Sequence, residues 1–384
     1  MRVVEGRRML IAWLVALGGA WGGSSACERR PVIVGTTYWD PSPNLIDVVR
    51  EEVGRWPGGA PAEIRQPASY LATHAEREVD GAAQLTKLAG VAAVVGHQDS
   101  RTTLLAAPVY HEARIPLVVP TATSRAIGSA SPWIFPVAPN DSQEGAFIAE
   151  FATRRLGAKA IALLYDNDEY GRGLRDGVQA ALTAAGTSLR AEAPIGAICE
   201  PSGGSDASLA LLTSSRPPPD LLVIASRPHD AGCIVRQARR RIPTLRFIAG
   251  DAVEINDSLL AAMGAGAEST YFVAFWYSGL TDERSVAFTS AYRRVVGTTP
   301  KPGAAMHYDA LMLVMHAVRD VGGSPKAIKA YLTELGKSRP AYQGVTGPIA
   351  FGPERRRPFY MLRIRSGAAV AVPSPPSPSP SPVP

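Results

Sequence analysis

The chain has 384 residues, 46% of them hydrophobic and 19% charged, with a formal net charge of +6. That composition excludes a disordered or fibrous protein, and the length suits two domains of ordinary size. The positive balance is mild and dispersed, which speaks against nucleic acid as a partner.

Residues 1–26 read as a secretory signal peptide. Arg2, Arg7 and Arg8 give a basic start, an apolar run follows from Met9 to about Trp21, and small residues lead into Cys27. A basic region, a short apolar region and a small-residue site are the marks of export. The run falls short of the roughly 20 apolar residues that span a bilayer. Ser24 and Ala26 satisfy a small-x-small cleavage rule. Cys27 directly after Ala26 also resembles the bacterial lipobox, in which the cysteine carries the lipid, although that motif usually has leucine where Ser24 stands. The two readings place the protein in the periplasm or cell envelope, either free or anchored at Cys27. Two cysteines remain, Cys199 and Cys233. In an oxidising compartment they could form a disulfide, and two buried thiols are the alternative.

The body, about residues 31–368, alternates strand and helix signals. Apolar runs of strand length occur at Val32–Gly35, Val91–Val95, Leu117–Val119, Ala160–Tyr165, Leu221–Ala225, Arg246–Ala249 and Thr270–Phe275. Amphipathic stretches lie between and after them, among them Gln143–Leu156, Gly173–Ala185, Ala231–Arg241, Val286–Val296, Tyr308–Val321 and Pro325–Leu335. This alternation predicts an α/β protein with parallel sheets covered by helices on both faces. Two doubly wound sheets suit the length better than one. The segment Pro132–Asn140, with three prolines, marks a seam between them. The run Arg355–Arg357 reads as a solvated turn. Residues 369–384 read as an extended Pro/Ser-rich tail, since seven of the last twelve residues are proline.

Ligands of open parallel sheets bind beyond the carboxyl ends of the strands, so the residues after each strand carry the functional reading. Gly96 to Thr103 follow one strand, with Asp99 or Ser100 placed to cap the next helix. Such a helix start, with its free N–H groups, suits a carboxylate. Pro120 to Ser124 form a second hydroxyl-rich loop. Asp166 to Gly171 make a polar turn with one aromatic, Tyr170. Asp251 follows Gly250 and could pair with a ligand ammonium. Other patterns carry less. His307, Tyr308 and Asp309 are consecutive on a helical run, so they point in different directions and form no triad. Asp166, Asp168 and Glu169 lack the spacing of a calcium loop. The histidines show no metal-ligand spacing. A GxSxG elbow and a P-loop are both absent from the sequence, so an enzyme has little support and no cofactor or metal is expected.

Taken together, these loops resemble the type I periplasmic binding proteins of the leucine/isoleucine/valine group. The resemblance is carried by AAVVGHQDSRTTLLAAPVYHEARIPLVVPTATS (92–124), IFPVAPNDSQEGAFIAEFATRRLGAKAIALLYDNDEYGRGLRDG (134–177), IVRQARRRIPTLRFIAGDAVEINDSLL (234–260) and YQGVTGPIAFGPERRRP (342–358). It implies two α/β lobes joined by three crossovers, near Pro139, Ala274 and Gly347. Lobe one would hold 31–138 and 275–346, and lobe two 139–274 and 347–368. The resemblance assigns Ser100, Thr121, Thr123 and the main chain of Ala122 to the ligand's carboxylate and amino groups. It assigns Asp251 to the ammonium and places Tyr170 at the cleft rim. Two departures bear on the ligand. Arg227 stands where the family often has a cleft tyrosine and would add a positive charge favouring a more acidic ligand. Tyr38 and Trp39 stand in a diverged opening loop, where Tyr38 would line the side-chain pocket. The implied role is a monomeric receptor that closes on an amino acid or related small polar ligand and passes it to an ABC permease in the inner membrane. A sensory lipoprotein uncoupled from transport, and an envelope structural protein on the same scaffold, are the alternatives.

Overall fold

The computed structural model describes residues 31–37, 44–67, 75–196, 207–352 and 357–373. The first sheet is wholly parallel. Its strands are β1 (Ile33–Thr36), β2 (Glu63–Arg65), β3 (Val91–Val95), β4 (Leu117–Val119) and β5 (Ile134–Pro136), in the order β2-β1-β3-β4-β5. Helices α1 (Leu45–Gly54), α2 (Ala75–Thr86) and α3 (Ser100–Ala113) link them, with a short turn, α4 (Ile127–Ala130), before β5.

The chain then passes through Asn140 into the second unit. Here α5 (Asp141–Glu150) runs on into a π-helical turn at Phe151–Arg155, followed by β6 (Ile161–Tyr165), α6 (Glu169–Ala184) and β7 (Ala191–Pro194). After α7 (Ala207–Ser214) come β8 (Leu221–Ala225), α8 (Pro228–Arg241), β9 (Arg246–Ala249), α9 (Asp257–Met263) and β10 (Thr270–Ala274). The chain returns as α10 (Glu283–Val296), α11 (Pro302–Val321) and α12 (Pro325–Glu334), which belong with the first sheet, since α11 and α12 pack against β3. A hairpin of β11 (Tyr342–Gly344) and β12 (Gly347–Ile349) leads back to β13 (Tyr360–Arg365) and β14 (Ala368–Ala371). The second sheet has the order β14-β13-β10-β9-β8-β6-β7, and only β13 runs against the others, antiparallel to both β10 and β14. Two doubly wound α/β lobes result, and the chain passes between the two sheets three times.

Both faces of each sheet are covered, so the central strands read as unbroken apolar runs. Period-two alternation sorts them between cores. Ile161, Leu163, Val223 and Ile248 face α5 and α6, while Ala162, Leu164, Leu222 and Ile224 face α7, α8 and α9. In the first sheet, Val94, Leu117 and Val119 meet α2 and α3, and Val34, Val95 and Val118 meet the buried side of α11 and α12.

The proline-rich seam lies where the chain leaves the first sheet, and Pro136 is tolerated there because it sits on the sheet's outermost strand, where no ladder hydrogen bond is lost. Two expectations need correction. The tail begins later than 369, since Ala368–Ala371 pair with β13 and extend the sheet. Arg357 is buried, not solvated. Its guanidinium donates to the Gly347 and Pro348 carbonyls and to the Thr346 hydroxyl, and so fastens β12 to the final crossover. Among the described residues no helix is long and apolar enough to cross a membrane.

Candidate functional site

A cavity of about 790 Å³ opens where the carboxyl ends of β3 and β4 face those of β6, β8 and β9, beside the N-terminus of α11. Ser100, Thr121, Ala122, Thr123, Tyr170, Arg227 and Asp251 all line it. Tyr38 and Cys27 lie outside the described residues. Cys233 is buried and disulfide-bonded, and Cys199 lies outside the described residues.

The first wall consists of two interlocked loops. Asp99 caps α3, its carboxylate accepting from the Thr102 N–H at 2.9 Å. The cap therefore falls to Asp99, and the buried Ser100 hydroxyl instead accepts from the Ser124 N–H at 3.1 Å. Thr121 closes the brace by donating its hydroxyl to the Gln98 carbonyl at 2.7 Å. The two loops hold each other, so the groups facing the cavity are fixed before any ligand arrives, which is how preorganisation lowers the cost of binding. Lys301, at the start of α11, adds an exposed positive charge to the same wall.

The second wall is acidic and mostly buried. Helix α5 puts Asp141, Glu144, Gly145 and Ile148 on one stripe, at i, i+3, i+4 and i+7. That stripe lies directly on α6: a Cβ on Gly145 would come within 2.3 Å of the Gly177 backbone. The close crossing takes Asp141 and Glu144 fully out of solvent. Burial raises the Asp141 carboxyl to about 7, the Thr123 side chain opposing the rise and Asp251 adding to it. Burial and the neighbouring Asp251 hold Glu144 well above the ordinary carboxylate range. The Glu144 carboxylate accepts the Asp251 N–H at 2.9 Å. Gly250 is needed here, because any side chain would strike the Tyr170 hydroxyl, Leu174 and Glu144. Asp251 itself is raised by burial, with Glu144 and Tyr170 holding it down. Its Oδ1 is buried and has no hydrogen-bond partner among the described residues.

Two expectations change. Tyr170 is not a rim residue; it is 5% exposed, and its hydroxyl accepts the Ala252 N–H at 3.4 Å, propping the Asp251 loop from beneath. Arg227 does not bring an unbalanced charge. Its guanidinium pairs with Asp166 at 2.9 Å and with Asp168 at 2.7 Å, while Ser226 donates to Asp166 at 2.7 Å. The polar turn after β6 is therefore the counter-charge of Arg227. His307 Nδ1 donates to the Gly303 carbonyl, and Asp309 accepts the Val345 and Thr346 N–H groups, so the two act in different places.

Sequence reasoning missed Glu254, which crosses the cavity. Its carboxylate accepts the Gly303 N–H at 2.9 Å, at the first turn of α11. It also missed Asp141 and Glu144. The signal for those two was present as acids on the same helical stripe as Gly145 and Ile148. Among the described residues no His, Cys, Asp and Glu cluster has the makeup of a metal site.

Comparison with known proteins agrees with this architecture. The chain is 29% identical over 180 residues to the Amino acid binding protein of Pseudomonas aeruginosa, a match spanning 45% of each chain. It is 23% identical over 284 residues, 73% of each chain, to Leu/Ile/Val-binding protein homolog 1 of Brucella abortus. Its fold matches the branched-chain amino acid transporter substrate-binding protein LivJ of Streptococcus pneumoniae, solved with isoleucine. That match has a TM-score of 0.75 at 21% identity and covers 89% of this chain and 99% of the other. All three are binding proteins, not enzymes. The periplasmic binding protein family model matches residues 72–368, most of the sequence apart from the opening β1-α1-β2 segment of the first lobe, and this chain belongs to that family.

Proposed function

We propose that the protein is an extracytoplasmic receptor that closes on a small amino acid or a close relative and delivers it to an ABC permease of the inner membrane. It would be exported by residues 1–26, work as a monomer and be tethered through a lipid on Cys27. The observation that carries the ligand class is the unpartnered, buried Asp251 Oδ1 opposite the braced loops of the other wall. A carboxylate fits the wall that offers Thr121 to Thr123, Ser100 and Lys301, and an ammonium fits Asp251. The ammonium would supply the counter-charge that the crowded acids lack and would favour ionised Asp251. Arg227, already paired, sets the shape of the wall more than its charge. A ligand held by both walls favours the closed arrangement of the lobes.

Calorimetric titration with a panel of amino acids tests this reading, alongside Asp251→Ala. Removing a desolvated charge partner costs about 2–5 kcal/mol, or roughly a 30- to several-thousand-fold loss of affinity. The free variant should melt at the same temperature as the parent or slightly higher, since one of several crowded acids is gone. Undiminished amino acid binding by this variant would overturn the assignment.

A further inference from the structure

A second cavity, also about 790 Å³, lies on the flank of the first lobe, between α1, α10, α11, α12 and β11. It shares no lining residue with the interlobe cleft. Five arginines line it, and their partners decide what it can hold. Arg55 is balanced by Glu51 and Glu52, Arg294 by Glu51 and Arg319 by Asp320. Arg284 and Arg339 have no acidic partner among the described residues. Arg339 instead lies over the Tyr331 ring, 4.5 Å from its centroid. The acids of the lining are already occupied. Glu52 faces Arg55, and Asp320 takes Arg319 and the Tyr331 hydroxyl. Asp309 accepts the Val345 and Thr346 N–H groups and the Thr346 hydroxyl.

Two phenols face the same space. The Tyr308 and Tyr342 hydroxyls have no hydrogen-bond partner among the described residues. Burial raises both above the ordinary tyrosine value, and for Tyr342 the charge of Arg284 opposes the rise, so the guanidinium and the phenol share one locality. Aromatic rings form part of the same wall. Tyr308 packs on Phe288 with centroids 4.7 Å apart, and Tyr342 on His316 at 5.5 Å. Two unneutralised guanidinium groups, two unoccupied phenol donors and ring walls make a site of ordinary ligand-pocket size. We infer that this cavity is a second ligand site that takes a small organic anion with a planar body. The carboxylate of such a ligand would be held by Arg284 and Arg339 and by the Tyr342 hydroxyl, with its ring between Tyr308 and Tyr342.

Benzoate is the simplest probe, with benzamide as its neutral counterpart. Calorimetry and ligand-observed NMR on the purified protein should show benzoate binding at least about tenfold tighter than benzamide, because the amide offers no charge to the arginines. Arg284→Ala with Arg339→Ala should weaken benzoate at least about tenfold. Both side chains are exposed, so the melting temperature should hold. Asp251→Ala, in the other cavity, should leave the benzoate affinity unchanged. No benzoate binding up to about 10 mM overturns the inference. So does equal binding of benzamide, or an affinity indifferent to the arginine pair. The benzamide comparison needs no variant and decides the matter even if the double substitution disturbs folding.

Discussion

Asp141 shows how one side chain can make stability depend on pH. Its carboxyl is raised from 3.8 to about 7 by burial against α6. Between those two values the folded protein keeps a proton that the unfolded chain has lost. The stabilisation is therefore complete below about pH 4 and declines as the pH rises through about 7. A tenfold difference in acidity is worth about 1.4 kcal/mol, so the effect amounts to a few kcal/mol at most. His307 works the other way. Its imidazole is lowered from 6.5 to about 4 by burial, so its contribution is present above about 6.5 and is lost as the pH falls through about 4. Asp141→Asn mimics the protonated acid. The variant should match the parent near pH 4 and exceed it by several degrees in melting temperature at pH 8. Melting curves at pH 4, 6 and 8 check this, and a constant offset at all three would assign the effect to packing alone.

At the scale of elements, the site depends on how closely α5 lies on α6. Gly145 meets the Gly177 backbone, and a Cβ on Gly177 would approach the Asp141 carbonyl to 2.3 Å. Gly145→Ala should force the helices apart, costing about 1–3 kcal/mol. It should also weaken the principal ligand, because Glu144 on the same stripe holds the Asp251 loop; unchanged melting and binding together would show that the helices separate freely. Much of this level was legible in the sequence. The strands Val91–Val95, Leu117–Val119, Leu221–Ala225 and Arg246–Ala249 match the predicted runs to the residue, since strands buried on both faces read as nearly continuous apolar segments, Arg246 at the start of β9 being the exception. The unread strands lie elsewhere. Strand β7 (AEAP) is the last of its sheet and half exposed, and β2 has three residues with only Ile64 buried. Neither carries enough apolar character to stand out. The site residues from both walls were legible because they follow strands. Glu254, the Arg227 counter-charges and the true place of Tyr170 were not, because each depends on a partner distant in sequence.

For the whole molecule, a direct link across the cleft is Glu254 on the N-terminus of α11. A carboxylate at that end of a helix meets free N–H groups and the positive end of the dipole. The contact joins the two lobes without any ligand, so it raises the share of molecules already near the closed form, and that share sets the apparent affinity. Glu254→Ala should open the free protein, seen as a larger radius of gyration in solution scattering. It should also weaken the ligand by roughly tenfold if the contact contributes about 1.4 kcal/mol. An unchanged radius with unchanged affinity would show that the contact does not bias the lobes.

The pairing of β14 with β13 has a further consequence, for solubility. Strand β13 carries Met361, Leu362 and Ile364, all buried, in a run of six residues. Without Ala368–Ala371 beside it, that run would form the rim of the second sheet, with a row of open N–H and C=O groups inviting another chain to add on. The covering strand is four residues long, and Pro373 follows almost at once, ending the ladder where a partner strand would otherwise continue. This short final strand thus guards against edge-to-edge association: a chain ending at Gly367 would retain the lining of both cavities and lose the cover that keeps a second copy from adding to the sheet.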